Sequence, residues 1–552
     1  PFDYREKIYN VAAVIQSGQV LGLVPKLGIP NYSELYEGRI FSSGIEEAIT
    51  ISFLGEDVLF GSKILFESKE MTDFRLAVEI CEDLWIPQSP GVSHCLAGAT
   101  VIANLSASDE LIGKDDFRRE MVKGQSSRLI CGYIYANAGE GESTTDLVFA
   151  GHNMIAENGT ILEETELFTN DMVYTELDLE KLKNLRRRKN TYHDQPIGDY
   201  LTVYFSLDND KESLPRLELT RRIEKSPFVP NDPNQLKERC KKITDIQSMG
   251  LKTRMKHIGT DKAIIGVSGG SDSTLALLVV EKAFEELGYD KKGIIAVTMP
   301  CFGTTDRTYN NSIALARCVG ATFLDIPIDK AVKQHFKDID HDINQHDITY
   351  ENSQARERTQ VLMDLANKYN GIVIGTGDMS ELALGWATFN GDHMSMYAVN
   401  TSIPKTMVKH LIDYFGQVTN DQKLKEVIGD ILDTPVSPEL LPPKEGKIAQ
   451  ITENYVGPYE LHDFFLYYLM RFGFEPKKIF RLAKIAFARD YDEDTILKWL
   501  KVFYRRFFSQ QFKRSTLPDG PKVGTVSLSP RGNLRMPSDA SSAIWLKQLE
   551  EM

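Results

Sequence analysis

The sequence predicts an α/β protein of two domains, and three observations carry that expectation. After residue 236 a helical stretch leads to the apolar run AIIGV, a Gly-rich loop, the helix TLALLVVEKAFEEL, the run GIIAVTM, another helix and the run GIVIGTG. Strands alternating with helices call for a parallel, Rossmann-like sheet covered on both faces. Before residue 205, short β-prone runs are interleaved with a single strong helical pattern, which reads as a separate mixed α/β domain. Between them, about 205 to 235, the pattern weakens into four prolines and dense charge, the composition of a connector. At 552 residues the chain is long enough for two cores, with a first domain over 1–215, a connector over 216–235 and a second domain over 236–552.

In the first domain, YNVAAVI and VLGLVP read as strands joined by a Gly-containing turn, followed by β-prone runs near 48–54, 76–81, 99–105, 130–136 and 147–155. The segment DDFRREMVKGQSSRLICGY has helical spacing. With no Met at its head, the sequence reads as starting inside a domain.

Charge and composition narrow the function classes. A net charge of −14 repels phosphate backbones at long range, so nucleic-acid binding would need a local basic patch. The run Arg186, Arg187, Arg188, Lys189 is the one obvious candidate, and it reads as a solvated segment in or near a helix. No stretch of eighteen apolar residues and no signal-type start is present, so no membrane association is expected and the cytoplasm is the expected compartment. Six cysteines without a C-x-x-C pair argue against a zinc site or disulfide framework.

The strongest chemical signal is the loop Ser268, Gly269, Gly270, Ser271, Asp272, Ser273, set between a buried-strand pattern and an amphipathic helix. Backbone N–H groups and the helix dipole make such a junction an anion site. The glycines allow close approach, the serines add hydroxyl donors, and Asp272 can hold a magnesium ion on a polyphosphate. Neither G-x-G-x-x-G nor G-x-x-x-x-G-K-[ST] occurs here, so neither a dehydrogenase nor a P-loop ATPase is indicated.

SGGSDS matches the signature of the ATP pyrophosphatases, and residues 351–406, ENSQARERTQVLMDLANKYNGIVIGTGDMSELALGWATFNGDHMSMYAVNTSIPKT, resemble the core of the NAD synthetases. The resemblance implies that Asn352 and Arg356 hold the nicotinic-acid end of deamido-NAD and that Thr376 contacts ATP. It makes Glu381 a carboxylate for metal or substrate and Asp392 and Lys405 contacts to substrate and phosphate. Asp272 with Glu381 would complete a magnesium site, and a lysine would stabilise charge on leaving pyrophosphate. The tail 512–539 resembles the C-terminal segment of the long, glutamine-using members, which implies that Lys513 contacts deamido-NAD.

In LAVEICEDLW an apolar strand runs into Cys81, where nucleophiles are commonly displayed, although a cysteine in that place is by default a structural core residue. VPKLGIPNYSELYEGR and EICEDLW resemble the lysine and nucleophile motifs of nitrilase-like amidases, whose fold is an α-β-β-α sandwich. The resemblance implies Cys81 as nucleophile and Lys26 as oxyanion partner, with the N–H of Glu82 a second oxyanion donor. Tyr32, Glu82, Ser108 and Lys114 are implied as glutamine-binding positions. The general-base glutamate is expected several dozen residues before Lys26, where this sequence has 25, so the triad is incomplete as read. Glu6 is too close to Lys26 to serve. Glu37 fits either an auxiliary glutamate or a surface turn.

Together these resemblances imply a ligase that amidates deamido-NAD, with ATP and magnesium, using ammonia released from L-glutamine along a protected route. They also imply a homo-oligomer, with an octamer as one form. The rivals are another glutamine-using ATP-pyrophosphatase amidotransferase, such as GMP synthetase, and a nucleotide-binding regulator that senses ligands without turnover. The mixture of His341 and His346 with aspartates in residues 337–347 matches no ligand spacing and reads as an acidic surface segment.

Overall fold

Two-residue turns in left-handed backbone shape the start of the chain in the computed structural model, which describes residues 1–142, 146–192, 199–207, 218–434, 440–441 and 452–552. The chain divides into two units, Pro1–Arg222 and Ile223–Met552. Residue 215, where the first domain was expected to end, and the first two residues of the expected connector lie outside the described residues.

In the first unit, β1 (Phe2–Tyr4) and β2 (Lys7–Tyr9) form a hairpin whose turn, Arg5 and Glu6, takes φ of 49° and 61°. Glu6 is therefore a turn residue. β3 (Val11–Gln16) and β4 (Gln19–Pro25) are joined at Ser17 and Gly18, with φ of 49° and 80°, the geometry whose twist matches paired strands. β5 (Ile49–Phe53) and β6 (Glu56–Phe60) complete a four-stranded sheet of order β3-β4-β6-β5. A seven-stranded sheet is built from β7 (Ile64–Ser68), β8 (Arg75–Ile80), β9 (Val101–Ser106), β10 (Gly132–Asn137), β11 (Met154–Glu157), β12 (Thr160–Glu164) and β13 (Leu201–Phe205), in the order β12-β11-β10-β9-β8-β7-β13.

The two sheets pack face to face through Ala12, Val24, Ile64, Phe66, Val78 and Ile80. The alternate residues of the large sheet, including Ala77, Ile102 and Tyr133, face a helical layer to which α1 (Pro90–Leu96) and α2 (Lys114–Leu129) contribute Cys95, Val122 and Leu129. The period-2 alternation of β8 thus serves a core on each side. Each large apolar side chain fully buried there contributes roughly 1.5–3 kcal/mol.

The basic run ends α3 (Leu179–Arg188), as its pattern suggested, but Arg186 is not solvated. Its guanidinium donates to the carbonyls of Ala99 (2.8 Å), Ile130 (2.9 Å) and Leu129 (3.2 Å). Carbonyls at the ends of elements need donors, and this arginine supplies them.

The second unit is doubly wound. After α4 (Pro233–Ile258), β14 (Ala263–Gly266), β15 (Ile294–Thr298), β16 (Thr322–Asp325), β17 (Ile372–Gly375) and β18 (Tyr397–Ala398) form a wholly parallel sheet of order β16-β15-β14-β17-β18. The chain winds one way from β14 to β16 and the other from β17 onward, so the switch point lies between β14 and β17, where such sheets bind ligands beyond their C-terminal ends. α5 (Ser271–Leu287), α6 (Asp306–Val319), α7 (Asp329–Asp338), α8 (Ile348–Tyr369), α9 (Met379–Leu384) and α10 (Lys405–Val418) connect or cover these strands. On β14, Ala263 and Ile265 join the core with α5 and α10, while Ile264 joins Tyr350 and Ala366 of α8 on the other face. The C-terminal part is helical, including Tyr459–Tyr467, Glu493–Ser509 and Gln511–Arg514.

Candidate active sites

The loop after β14 is built as its composition requires. Gly269 has φ +84°, and a Cβ there would lie 2.1 Å from the carbonyl oxygen of Thr308, so glycine alone fits. Gly270 is the residue before α5; its N–H donates to Ser268 Oγ (3.2 Å) while Ser273 Oγ donates to its carbonyl (3.1 Å). Ser271 and Asp272 open α5, where the helix dipole favours an anion. One buried amide ties the first turn of α5 to the end of β17: Asn400 Nδ2 donates to the carbonyls of Asp272 and Thr376, each at 3.0 Å. Thr376, which follows β17, is thereby held across the switch point from the SGGSDS loop.

Three carboxylates converge here on one ammonium. Lys405 Nζ lies 2.7 Å from Asp272 Oδ2, 2.9 Å from Asp378 Oδ2 and 2.9 Å from Glu381 Oε1, with the Tyr459 ring 5.3 Å away. Lys405 and Asp378 are buried. Burial works against the lysine's charge, but the three carboxylates outweigh it and hold its pKa well above the ordinary value. Burial also raises Asp378, to about 7, and Glu381 well above its usual range. Carboxylate oxygens of the three acids lie within 4.8 Å of one another, and Asp272 Oδ1 is buried without a hydrogen-bond partner. One ammonium cannot neutralise three carboxylates, so the cluster suits a divalent cation.

Of this cluster, Asp272, Glu381 and Lys405 were expected and Asp378 was not. It is the N-cap of α9, its Oδ1 accepting the N–H groups of Ser380 (2.8 Å) and Glu381 (2.9 Å). The D-x-x-E spacing is a capping-box signal that could have marked it.

The remaining expected residues gather on the segment after α9. Asn352 and Arg356, four apart on α8, face it together: Asn352 Oδ1 accepts from Thr388 Oγ1 (2.7 Å), and Arg356 Nε donates to the carbonyl of Phe389 at 3.4 Å. Asp392 Oδ1 accepts the Thr388 N–H (2.7 Å), and Lys513 Nζ donates to the carbonyls of Gly385 and Ala387, both at 2.7 Å. His341 and His346 instead pack on aromatic rings, Phe336 at 5.0 Å and Tyr350 at 4.7 Å.

In the first unit Cys81 stands immediately after β8 with φ +46°, a left-handed conformation that costs a non-glycine residue roughly 1–2 kcal/mol. It opens a short 3-10 helix, Cys81–Leu84. Lys26, directly after β4, is buried, and its Nζ lies 2.6 Å from Glu37 Oε1. Glu37 opens the short 3-10 turn Glu37–Arg39 and pairs with Lys26 from there.

Asp83, which the sequence reading passed over, joins the two motifs. Its Oδ1 accepts the N–H groups of Leu27 (3.1 Å) and Gly28 (2.7 Å), and its Oδ2 that of Ile80 (2.9 Å). Burial pushes its pKa up to about 6. Tyr32 Oη donates to Glu82 Oε1 (2.9 Å). Ser108 is bound on both backbone atoms by the Asn137 amide, at 2.8 and 3.0 Å, and Lys114 Nζ lies 2.5 Å from Asp109 Oδ1.

A doubly wound unit with an anion loop and carboxylates at its switch point, and an αββ-layered unit displaying a thiol at a strand end, define a ligase of the amidotransferase type. A family model described as NAD synthase matches residues 243–488. The glutamine-dependent NAD(+) synthetase of Mycobacterium tuberculosis is 42% identical over 100% of this chain and 85% of its own length. That of Thermotoga maritima is 29% identical over 95% of this chain and 81% of its own. A solved structure of a glutamine-dependent NAD(+) synthetase from Cytophaga hutchinsonii, 21% identical, covers 100% of this chain and 85% of that one with a TM-score of 0.47. The chain belongs to the glutamine-dependent NAD(+) synthetases.

Proposed function

We propose that this chain makes NAD from deamido-NAD, ATP and glutamine, with Asp272, Asp378, Glu381 and Lys405 as the charge machinery of the synthetase site and Cys81 as the glutaminase nucleophile. The observation that carries the reading is the convergence of three carboxylates on a buried lysine beside an anion loop at the switch point.

In the synthetase site, the N–H groups of the SGGSDS loop and the N-terminus of α5 bind the phosphates of ATP. Asp272, Asp378 and Glu381 would hold magnesium, which when bound neutralises the polyphosphate. The carboxylate of deamido-NAD attacks the α-phosphorus, pyrophosphate leaves, and Lys405 stabilises the charge it carries away. Ammonia then attacks the acyl-adenylate carbon and AMP departs. Asn352, Arg356, Asp392 and Lys513, all bonded to atoms of the segment 385–392, orient deamido-NAD.

In the glutaminase site the Cys81 sulfur attacks the glutamine amide carbon as its thiol proton passes to the amide nitrogen, Lys26 stabilises the oxyanion, the C–N bond breaks to release ammonia, and water hydrolyses the thioester to glutamate and returns the thiol. Glu37 holds the lysine in place. Tyr32, Glu82, Ser108 and Lys114 line the glutamine pocket. No helix among the described residues is long and apolar enough to cross a membrane; a cytoplasmic homo-oligomer belongs to the same proposal.

The test is NAD formation with ATP, magnesium and deamido-NAD, fed in parallel with ammonium and with glutamine. Cys81→Ala should abolish the glutamine reaction and spare the ammonium reaction; Asp272→Ala should abolish both. Turnover with neither nitrogen source, despite ATP binding, would leave a ligand-sensing regulator as the reading.

A further inference from the structure

Cys81 N–H donates to Asn104 Oδ1 (3.1 Å), and the orientation of that amide is set by residues on the two flanking strands. Glu79, Asn104 and Tyr133 lie on β8, β9 and β10, three adjacent strands, and all are buried. Glu79 and Asn104 are register partners.

The direction of each hydrogen bond follows from the carboxylate end. Glu79 is surrounded by donors: Ser89 Oγ at 2.9 Å, the Gly91 N–H at 2.8 Å and the Tyr133 hydroxyl in a short contact. The tyrosine has a single proton and spends it on Glu79, so its oxygen can only accept. What it accepts is Asn104 Nδ2, at 3.2 Å. That turns Oδ1 toward the nucleophile, where it accepts the Cys81 N–H and Ser106 Oγ (2.7 Å). A flipped amide would present N–H to N–H at Cys81 and a lone pair to a lone pair at Tyr133. An oriented chain of this kind strengthens its own links in a dry interior.

We propose that Asn104 is a positioning residue that holds Cys81 in its left-handed backbone, and that Tyr133 and Glu79 fix its amide in the productive orientation. The proposal rests on Cys81 being the glutaminase nucleophile. The chain does not touch glutamine; it acts by aiming the thiol, so its loss falls on the chemical step and not on substrate binding.

The test uses the full chain and compares glutamine-dependent with ammonium-dependent NAD formation in one preparation, with the rate of Cys81 alkylation by iodoacetamide as an independent readout. Asn104→Leu should lower glutamine-dependent kcat at least about 100-fold, with KM for glutamine changed less than threefold, alkylation slowed and ammonium-dependent activity within twofold of the parent. Asn104→Asp, which keeps an acceptor for the Cys81 N–H, should recover part of the loss. Tyr133→Phe removes one hydroxyl in an unchanged shape and should cost about tenfold in the same kcat. Glutamine-dependent kcat within twofold of the parent in both Asn104→Leu and Tyr133→Phe would overturn the proposal, as would a loss in Tyr133→Phe confined to KM. Cys81→Ala is the separate control: full glutamine-dependent activity in that variant would sink the nucleophile assignment itself, whatever Asn104 does.

Discussion

At the scale of single residues, buried charge decides most of what this chain can do. Lys405 is enclosed by Asp272, Asp378 and Glu381 at 2.7–2.9 Å, so Lys405→Met leaves one buried acid, Asp378, and two half-buried ones without their counter-ion. Breaking a buried pair in this way costs about 3–5 kcal/mol. Thermal and denaturant unfolding should show that loss, and NAD formation should fall with both nitrogen sources. Added magnesium should stabilise the variant more than the parent, since the metal takes over part of the lost positive charge; equal shifts in melting temperature would argue against a cation site there. Lys405 and Asp272 were legible because each stands in a recognisable motif. Asp378 was not: it looks like an ordinary helix cap until the fold turns its second oxygen toward Lys405.

At the scale of elements, α9 depends on the C-terminal helices. Its six residues begin with the Asp378 cap and carry Glu381. The carbonyls at its C-terminal end are met by cations from residues 506–514: Arg514 donates to Leu382 and Ala383 at 3.2 and 2.8 Å, Arg506 to Leu384 at 2.9 Å, and Lys513 to Gly385 at 2.7 Å. A short helix has little stability of its own, so these donors fix where Glu381 points. Arg514→Met should cost about 2–4 kcal/mol by leaving buried carbonyls unpaired, and should reduce ammonium-driven and glutamine-driven synthesis by the same factor. A reduction of the glutamine reaction alone would contradict this account. The loop before α5 makes a second prediction. Gly269→Ala places a methyl group 2.1 Å from the Thr308 carbonyl in left-handed backbone, so ATP binding measured by calorimetry should be lost while glutamine hydrolysis by Cys81 continues.

At the scale of the whole molecule, buried titratable groups set the response to acid. His94 in the first unit and His462 in the second are buried, and burial lowers each from 6.5 to about 4. A depressed histidine pKa means the unfolded chain takes up protons first. The stability each contributes is complete above pH 6.5 and drains away as pH falls through 4, by about 3 kcal/mol each. Asp83 runs the other way: raised by burial from 3.8 to about 6, its contribution is present below pH 4 and lost by pH 6, again about 3 kcal/mol. Asp378, raised by burial to about 7, and Glu381, raised well above its usual range, run the same way as Asp83, so between pH 6.5 and 4 the histidine losses and the carboxyl gains oppose one another. Replacing one imidazole isolates its share: in His94→Gln and in His462→Gln the change in denaturant midpoint from pH 6.5 to 4 should be less unfavourable than in the parent, and a profile parallel to the parent's would refute the assignment of neutral buried imidazoles.

What the sequence determined by itself was local. The strand-to-helix loop SGGSDS, the thiol at the end of β8, the two-residue turn at Ser17 and Gly18 and the alternation of strands with helices are each written in a few neighbouring residues, because turn geometry and periodicity are short-range properties. The short strands β6, β7, β12, β13, β16 and β18 escaped notice, since two to five residues carry little period. Arg186 looked solvated because charge in a sequence says nothing of the carbonyls it will meet. Tertiary structure decided the rest: that Glu37 lies on Lys26, that Asp83 ties two motifs 55 residues apart, that Asp378 completes the carboxylate cluster and that Asn104 holds Cys81. Each of these is a hydrogen bond or ion pair between distant segments, and its meaning comes from the burial that forces every polar group to find a partner.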